Sequence, residues 1–328
     1  VLVLNYRKQC YHKKRIVLED IMYYFIVNPN SRSGKGALIW KDLEGILNER
    51  NVEHKTFFTE YRGHAVLLSE SITSDAAPEN PVTLIAVGGD GTIQEVLSGV
   101  HDLSCITFGY IPTGSGNDFC RGMKLPMAPT EALNLILSDC RPHPMDVPTL
   151  TCSTGSSHFA ISCGIGFDAG VCHEVGITPM KKVLNRIGLG KLVYLFVALK
   201  QLLFLNPSPM TLVMDDDNVQ QFSKVYFTAV MNQKYEGGGF KFCPNASPSD
   251  GYLDVIVVDG LSKPKVLCCL PTAFFGKHTI FHGIHIFRCK KIDIHSDLAL
   301  PVHKDGESAG ILKDFSVSIG SRQVRMIS

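Results

Sequence analysis

Three acidic residues stand inside or beside glycine turns in this 328-residue chain. Asp90 lies in Gly88-Gly89-Asp90-Gly91-Thr92, Asp118 closes Thr113-Gly114-Ser115-Gly116-Asn117, and Asp305 opens Asp305-Gly306-Glu307. A glycine-rich turn from a strand into a helix exposes backbone N–H groups at the positive end of that helix, which favours a phosphate. Asp90 would repel a bare phosphate. Its place makes sense if a divalent cation lies between the two, as in magnesium–ATP. The plainer reading is a tight strand–helix turn with a surface Asp90.

The elements that must hold these residues are legible. Leu84-Ile85-Ala86-Val87 is a continuous apolar run, as in a fully buried strand of a parallel sheet. Ile93, Val96, Leu97 and Val100 follow at helical spacing, so a helix is expected from near Thr92. Tyr23–Val27 is a second buried run and ends in Asn28-Pro29-Asn30-Ser31-Arg32-Ser33-Gly34-Lys35-Gly36. This loop resembles a phosphate-binding turn but fails the Walker A test: Pro29 replaces its first glycine, and Gly36 follows Lys35 where Ser or Thr belongs. An ordinary strand–helix loop is the alternative. A helix over Ala37–Asn48, a strand over Lys55–Thr59 and a helix over Ala65–Ser74 come next. Ile106–Pro112 is the strand that feeds the turn at Asp118. Alternating strands and helices predict a parallel α/β sheet, and successive parallel strands end on one edge. The loops at 28–36, 88–92 and 113–118 should therefore converge.

After a helix over Glu131–Ser138, Pro142, Pro144 and Pro148 punctuate the chain around Asp146, where the first domain is expected to end. Beyond it, strands are predicted over Thr149–Ile165, Met210–Met214, Val225–Asn232, Leu253–Asp259, Lys291–His295 and Phe315–Ile319, with one long helix over Gly190–Phe204. That texture predicts an all-β sandwich. The expected layout is an extension over 1–21, an α/β domain over 22–146 and a β-sandwich domain over 147–328, with the last strands able to return to the first domain. His278, His282 and His285 read as core or surface residues rather than metal ligands, since no carboxylate pattern accompanies them.

Composition excludes several classes. A net charge of +1 argues against a nucleic-acid groove, and 45% hydrophobic content is ordinary for a globular enzyme. No run of about 18 apolar residues is present to span a membrane. The best stretch, Leu192–Leu205, is interrupted by Lys200 and Gln201. Scattered basic residues in the first twenty do not form a signal peptide. Residue 1 is Val and Met22 precedes the first strand, so 1–21 are expected to be a non-native or poorly ordered extension. Eleven cysteines, with no Cys-x-x-Cys, fit reduced thiols in the cytoplasm.

In order, Asn28-Pro29-x-Ser31, Gly34-Lys35-Gly36, Gly88-Gly89-Asp90-Gly91-Thr92, Gly114-x-x-Asn117-Asp118-Phe119 and Asp305-Gly306-Glu307 resemble bacterial lipid kinases of the diacylglycerol kinase catalytic-domain family, relatives of sphingosine kinases. Gly-Gly-Asp-Gly also occurs in NAD kinases and phosphofructokinases; the ordered set is specific. The resemblance runs from Tyr23 to the C-terminus. It implies an α/β nucleotide-binding domain, a β-sandwich and an active site in the cleft between them. It also implies ATP contacts at Asn28, Pro29, Ser31, Ser33, Gly34, Thr59, Gly88 to Thr92, Glu95, Gly114, Ser115, Asn117, Asp118 and Arg121, with Asp146 in the same acidic network. Gln94 stands where the family usually has Asn.

The same resemblance makes Asp305 the general base, with Glu307 holding either that base or the magnesium network. A lipid hydroxyl that attacks a γ-phosphoryl group needs a proton acceptor, while positioning and charge neutralisation do most of the rest. As a sequence alone, Asp305-Gly306 is a hairpin turn. Asn245–Val255 resembles the family's structural magnesium segment, where backbone carbonyls and an Asp coordinate the ion, which implies Ser247, Asp250 and Tyr252 as ligands; a plain Asp250-Gly251 turn is the alternative. The expected function is an ATP- and magnesium-dependent lipid kinase, acting on diacylglycerol or a similar lipid at the inner face of the membrane, with a homodimer left open. An NAD-kinase-like enzyme and a catalytically silent regulator are the rivals. The apolar Leu261–Phe287 region, with Lys263, Lys265, Lys277 and Arg288, reads first as a sandwich-packing helix with solvated lysines, and second as a surface for anionic lipid.

Overall fold

The computed structural model describes residues 21–138, 141–167, 169–170, 206–320 and 323–328. The helix expected over Gly190–Phe204 and all but the last residue of the 1–21 extension lie outside them.

The first sheet is built from β1 (Tyr23–Val27), β2 (His54–Phe58), β3 (Val82–Gly88), β4 (Ile106–Pro112) and β5 (His143–Met145), joined by β15 (Val324–Met326) from the far end of the chain, in the order β2-β1-β3-β4-β15-β5. All neighbours are parallel except β15 and β5. The helices are α1 (Ser31–Gly34), α2 (Gly36–Glu49), α3 (His64–Thr73), α4 (Asp90–Ser98), α5 (Asp118–Met123) and α6 (Pro129–Ile136). The apolar run in β3 is explained by burial on both faces. Leu84 and Ala86 pack with Val96 and Leu97 of α4, while Ile85 and Val87 pack with Trp40 and Leu43 of α2 and Leu133 of α6. Chain direction across the sheet reverses between β1 and β3, the place where open α/β sheets bind ligands at the strands' carboxyl ends.

The second sheet holds β6 (Pro148–Cys152), β7 (Gly155–His158), β8 (Ser162–Gly166), β9 (Ser208–Met214), β10 (Asn218–Met231), β11 (Leu253–Asp259), β12 (Ile284–Cys289), β13 (Lys291–Lys304) and β14 (Glu307–Ile319). Long β10 and β13 each pair with β8 at one end and with β9 at the other. The sheet thereby folds back on itself around Phe159, Ile165, Leu212, Val230, Val255, Ile294 and Val302, a β-sandwich. Helix α7 (Lys263–Ala273) packs Val266, Cys269 and Ala273 on its outer face.

Some expectations change. The single strand expected over Thr149–Ile165 is three strands, because a turn at Ser153-Thr154 reverses the chain and a break at 159–161 carries it from beside β6 to new partners, β10 and β13. Strand β12 was not expected, since its residues fall at the end of the Leu261–Phe287 region that read as a helix. Helix α5 was also unforeseen; it is only six residues long. His278 is buried, with a ring nitrogen 2.9 Å from the Phe242 carbonyl, a core role. No described helix is long and apolar enough to cross a membrane.

Because Val324 and Met326 are fully buried between β4 and β5, the chain's end completes the first core. Met326→Ala should therefore lower stability by about 2–5 kcal/mol. Urea unfolding followed by probes in each domain checks this; a loss confined to the second domain would refute it.

Candidate active site in the cleft between the two sheets

The loop after β1 is set by close contacts. The Asn28 N–H donates to the Val87 carbonyl (2.9 Å), and its side-chain amide donates to Thr92 Oγ1 (3.3 Å). Ser31 and Thr113 share a hydroxyl hydrogen bond of 2.7 Å, which joins this loop to the one after β4. Pro29 accepts from the Ala37 N–H (3.1 Å). The missing Walker Ser or Thr has a physical reason: a Cβ on Gly36 would lie 2.4 Å from the Asn28 carbonyl oxygen. Ser33 and Gly34 close α1, Gly34 at φ +90°. Thr59 is buried just past β2, its N–H on the Val27 carbonyl (2.9 Å).

The loops after β3 and β4 touch through backbone. A Cβ on Gly114 would lie 2.6 Å from the Gly89 Cα, and one on Gly88 would lie 2.2 Å from Thr92 Oγ1. Tyr110 donates its hydroxyl to the Gly88 carbonyl (3.0 Å) and reaches Asn117 Oδ1 (3.3 Å). Ser115 is exposed beside them, as is Gly116. Glu95 does structural work here, accepting the Gly63 N–H at 2.9 Å in front of α3. Gln94 is buried and donates to Ser98 and the His158 carbonyl, so it links the two sheets.

Three carboxylates gather over this edge. Asp90 accepts the N–H groups of Asp118 (3.1 Å) and Phe119 (3.3 Å) at the start of α5. Loss of solvent, then the nearby Asp118 charge, pushes its pKa up to about 7 against those two bonds, with Asp305 adding to the rise. Buried Asp118 is paired with Arg121 and accepts the Gly238 N–H at 2.6 Å. Its pKa is still raised, because burial outweighs both partners. Asp305 and Gly306 form a two-residue β13–β14 hairpin, both at positive φ (49° and 80°), with Lys304 opposite Glu307. The hairpin reading and the site reading are thus the same turn. The Asp305 carboxylate accepts three N–H groups, from Ala160 and Ile161 (2.7 Å each) and Ser162 (3.0 Å). Burial nevertheless lifts its pKa to about 6.

Two pairs that the sequence did not reveal hold this turn. Glu307 meets Arg62 at 2.7 Å, tying the hairpin to the loop after β2. Fully buried His303 has Nε2 3.0 Å from Glu236 Oε1, while its Nδ1 accepts the Gly306 N–H (3.3 Å). Glu236 and Gly238 belong to one loop, so that loop grips both the Asp305 turn and Asp118. Arg62 follows Thr59 closely and His303 precedes Asp305 by two positions; only that proximity to motif residues was available as a signal.

The segment implied for a structural metal is held differently. Asp250 pairs with Arg288 (2.6 Å) and accepts the Tyr252 N–H (3.1 Å), and the Tyr252 ring lies 4.3 Å from the Arg288 guanidinium. Ser247 Oγ faces Ser249 Oγ at 3.4 Å. Asp146 anchors the segment instead, accepting the Gly251 N–H (2.8 Å) and donating its own to the Pro248 carbonyl (2.6 Å). Arg288 thus already neutralises the one carboxylate among Ser247, Asp250 and Tyr252, and a cation held there by Asp250 with backbone carbonyls would have to displace that guanidinium. Among the described residues no group of three His, Cys, Asp or Glu side chains stands ready for a metal.

A glycine-loop α/β domain whose cleft is closed by a β-sandwich turn bearing an acid defines a two-domain kinase fold. Residues 22–150 match the diacylglycerol kinase catalytic domain, and residues 163–324 match the YegS C-terminal NAD kinase beta sandwich-like domain. The chain is 32% identical over 296 residues to the "Putative lipid kinase YtlR" of Bacillus subtilis, across 88% of this chain and 94% of that one. It is 30% identical over 234 residues to a diacylglycerol kinase of Mycobacterium tuberculosis, across 69% and 70%. In fold it is similar to a diacylglycerol kinase from Bacillus anthracis, with TM-score 0.63, 21% identity and 94% and 96% coverage. An NAD kinase from Archaeoglobus fulgidus, solved with ATP, shares the fold at TM-score 0.50 and 12% identity, over 94% of each chain. The chain belongs to the lipid kinase family of the diacylglycerol kinase type.

Glu236→Ala removes a buried acceptor from His303 and should cost about 1–3 kcal/mol in chemical denaturation, with Glu236→Gln costing less. Equal losses for the two variants would show that the hydrogen bond is not what holds the loop.

Proposed function

We propose that the protein is an ATP-dependent lipid kinase that transfers the γ-phosphoryl group to a hydroxyl of a membrane lipid, with diacylglycerol the first candidate, from the cytoplasmic face. The observation that carries this reading is the Asp305 carboxylate, fixed by three N–H groups and close enough to Asp90 to raise its pKa. An acid on the second domain thus shares one cleft with the glycine loops of the first. Support for the nucleotide comes from the switch point between β1 and β3, where the glycine-bearing loops at 28–36 and 88–92 follow the strands' carboxyl ends.

Magnesium, brought with the nucleotide and held by Asp90, would supply neutralisation of the phosphates' developing charge. Asp90 fits that ion: its carboxylate is short of positive partners, and magnesium needs only one or two protein carboxylates beside phosphate oxygens. Asn28, Gly89, Gly114 and Ser115 would surround the phosphates. Asp305 would take the proton from the attacking lipid hydroxyl, and the Arg62–Glu307 pair would hold the hairpin over the nucleotide loops. The Asp305 turn also speaks against a silent regulator, which has no use for a carboxylate so held.

The test offers labelled ATP with diacylglycerol, sphingosine, extracted lipids or NAD separately. Lipid labelling is expected; transfer to NAD alone would overturn the reading. Asp305→Asn should lower turnover by at least about 10²-fold with ATP binding near wild type. A general base works unprotonated, so wild-type turnover should rise with pH through about 6 and level off above it. A profile without that rise would remove Asp305 as the base.

A further inference from the structure

Residues 260–292 contain Lys263, Lys265, Lys277, Arg288, Lys290 and Lys291 and not one Asp or Glu, in a chain whose net charge is only +1. Arg288 is committed to Asp250, and Lys291 to Asp216 and Asp293. Among the described residues no carboxylate pairs with Lys265 or Lys277, and both side chains belong to exposed residues.

Helix α7 and the turn after it carry apolar residues that the core does not take up. Val266, Cys269 and Ala273 form the buried stripe. Leu267 and Phe274, seven residues apart and so on one neighbouring stripe, are 40% and 45% exposed. Phe275 and Ile280, in the following turn, are 74% and 80% exposed. Single exposed apolar residues are ordinary, but four within residues 267–280 beside unpaired lysines make a patch.

The patch is held out by construction. The Phe274 ring stacks on Phe240 with centroids 3.9 Å apart, and the Lys241 N–H donates to the Ala273 carbonyl (2.9 Å). The Lys277 N–H returns to the Thr272 carbonyl (3.0 Å), and buried His278 anchors the far side on the Phe242 carbonyl. Phe275 and Ile280 therefore stand on a fixed turn. Phe240 ends the loop whose Glu236 meets His303 and whose Gly238 caps Asp118, so one loop joins the patch to the acidic cleft.

We propose that Leu267, Phe274, Phe275 and Ile280, flanked by Lys265 and Lys277, dock the protein on an anionic lipid bilayer beside the mouth of the cleft. Apolar side chains enter the acyl boundary while lysines meet anionic headgroups, and the lack of any acid across residues 260–292 gives the charge complementarity. The role of docking in turnover rests on the lipid-kinase reading; the docking itself does not.

The experiment is sedimentation of the full chain with phosphatidylcholine vesicles, or with equimolar phosphatidylcholine and phosphatidylglycerol. Wild type should bind the anionic vesicles more tightly, and added salt should weaken that preference. Phe275→Ser with Ile280→Ser should reduce binding at least about tenfold. Lys265→Glu and Lys277→Glu should each reduce it at least about fivefold on anionic vesicles alone. All variants should keep wild-type turnover on a short-chain lipid dispersed in detergent, which also shows that they fold. Vesicle binding unchanged by either set, or no vesicle binding by wild type, overturns this surface and leaves the kinase reading intact. No lipid phosphorylation in detergent, with vesicle binding lost in the variants, overturns the kinase reading and leaves the surface standing.

Discussion

Carboxylates are costly to bring together out of water, because each loses its hydration and repels the others. Asp90, Asp118 and Asp305 are held in one cleft all the same, and the surrounding architecture is arranged to tolerate them. The compensation is mostly backbone: two N–H groups on Asp90, one on Asp118 and three on Asp305. Among the described residues, Arg121 alone forms an ion pair with the set directly. Burial still wins at all three, which leaves the cleft electrostatically unfinished.

The donors of those N–H groups come from three separate stretches: the start of α5, the 236–240 loop and the 160–162 break. Each stretch has an irregular backbone because it gives its N–H to a side chain rather than to a neighbouring strand. The break at 159–161 that splits the expected long strand is the clearest case. Those N–H groups leave the sheet in order to hold Asp305, which is a structural reason for β8 to begin at Ser162. The Asp305 hairpin is fixed from both sides, by His303 and Glu236 beneath it and by Arg62 across from Glu307.

The two domains are therefore not independent bodies with a groove between them. Asp146 sits where the chain leaves the first sheet and binds the 248–251 segment of the second, while Gln323 from the last stretch donates to the same carboxylate at 2.7 Å. Strand β15 then returns to the first sheet beside β4. A buried residue that the family resemblance placed in an acidic ATP network is, in this geometry, the fastening of the domain crossing. Arg288 plays the matching part at the 245–252 segment, where a protein cation neutralises Asp250.

The features legible in the residues alone are local or periodic. Buried runs such as Leu84–Val87, helical spacing after Thr92 and glycine turns at fixed offsets specify strand, helix and turn within a few residues, and parallel topology alone brings three loops to one edge. Asp305-Gly306 was legible both as a hairpin and as a motif, since turn chemistry needs only those two residues. The tertiary structure alone decided which distant groups meet. Glu236 and His303, Arg62 and Glu307, and Asp250 and Arg288 are pairs whose members are common residue types far apart in the chain, with no periodicity to join them. The meaning of Asp90 changed for the same reason: its turn could show an acid near a phosphate cradle, but its burial against Asp118 and Asp305 exists only once both sheets are closed.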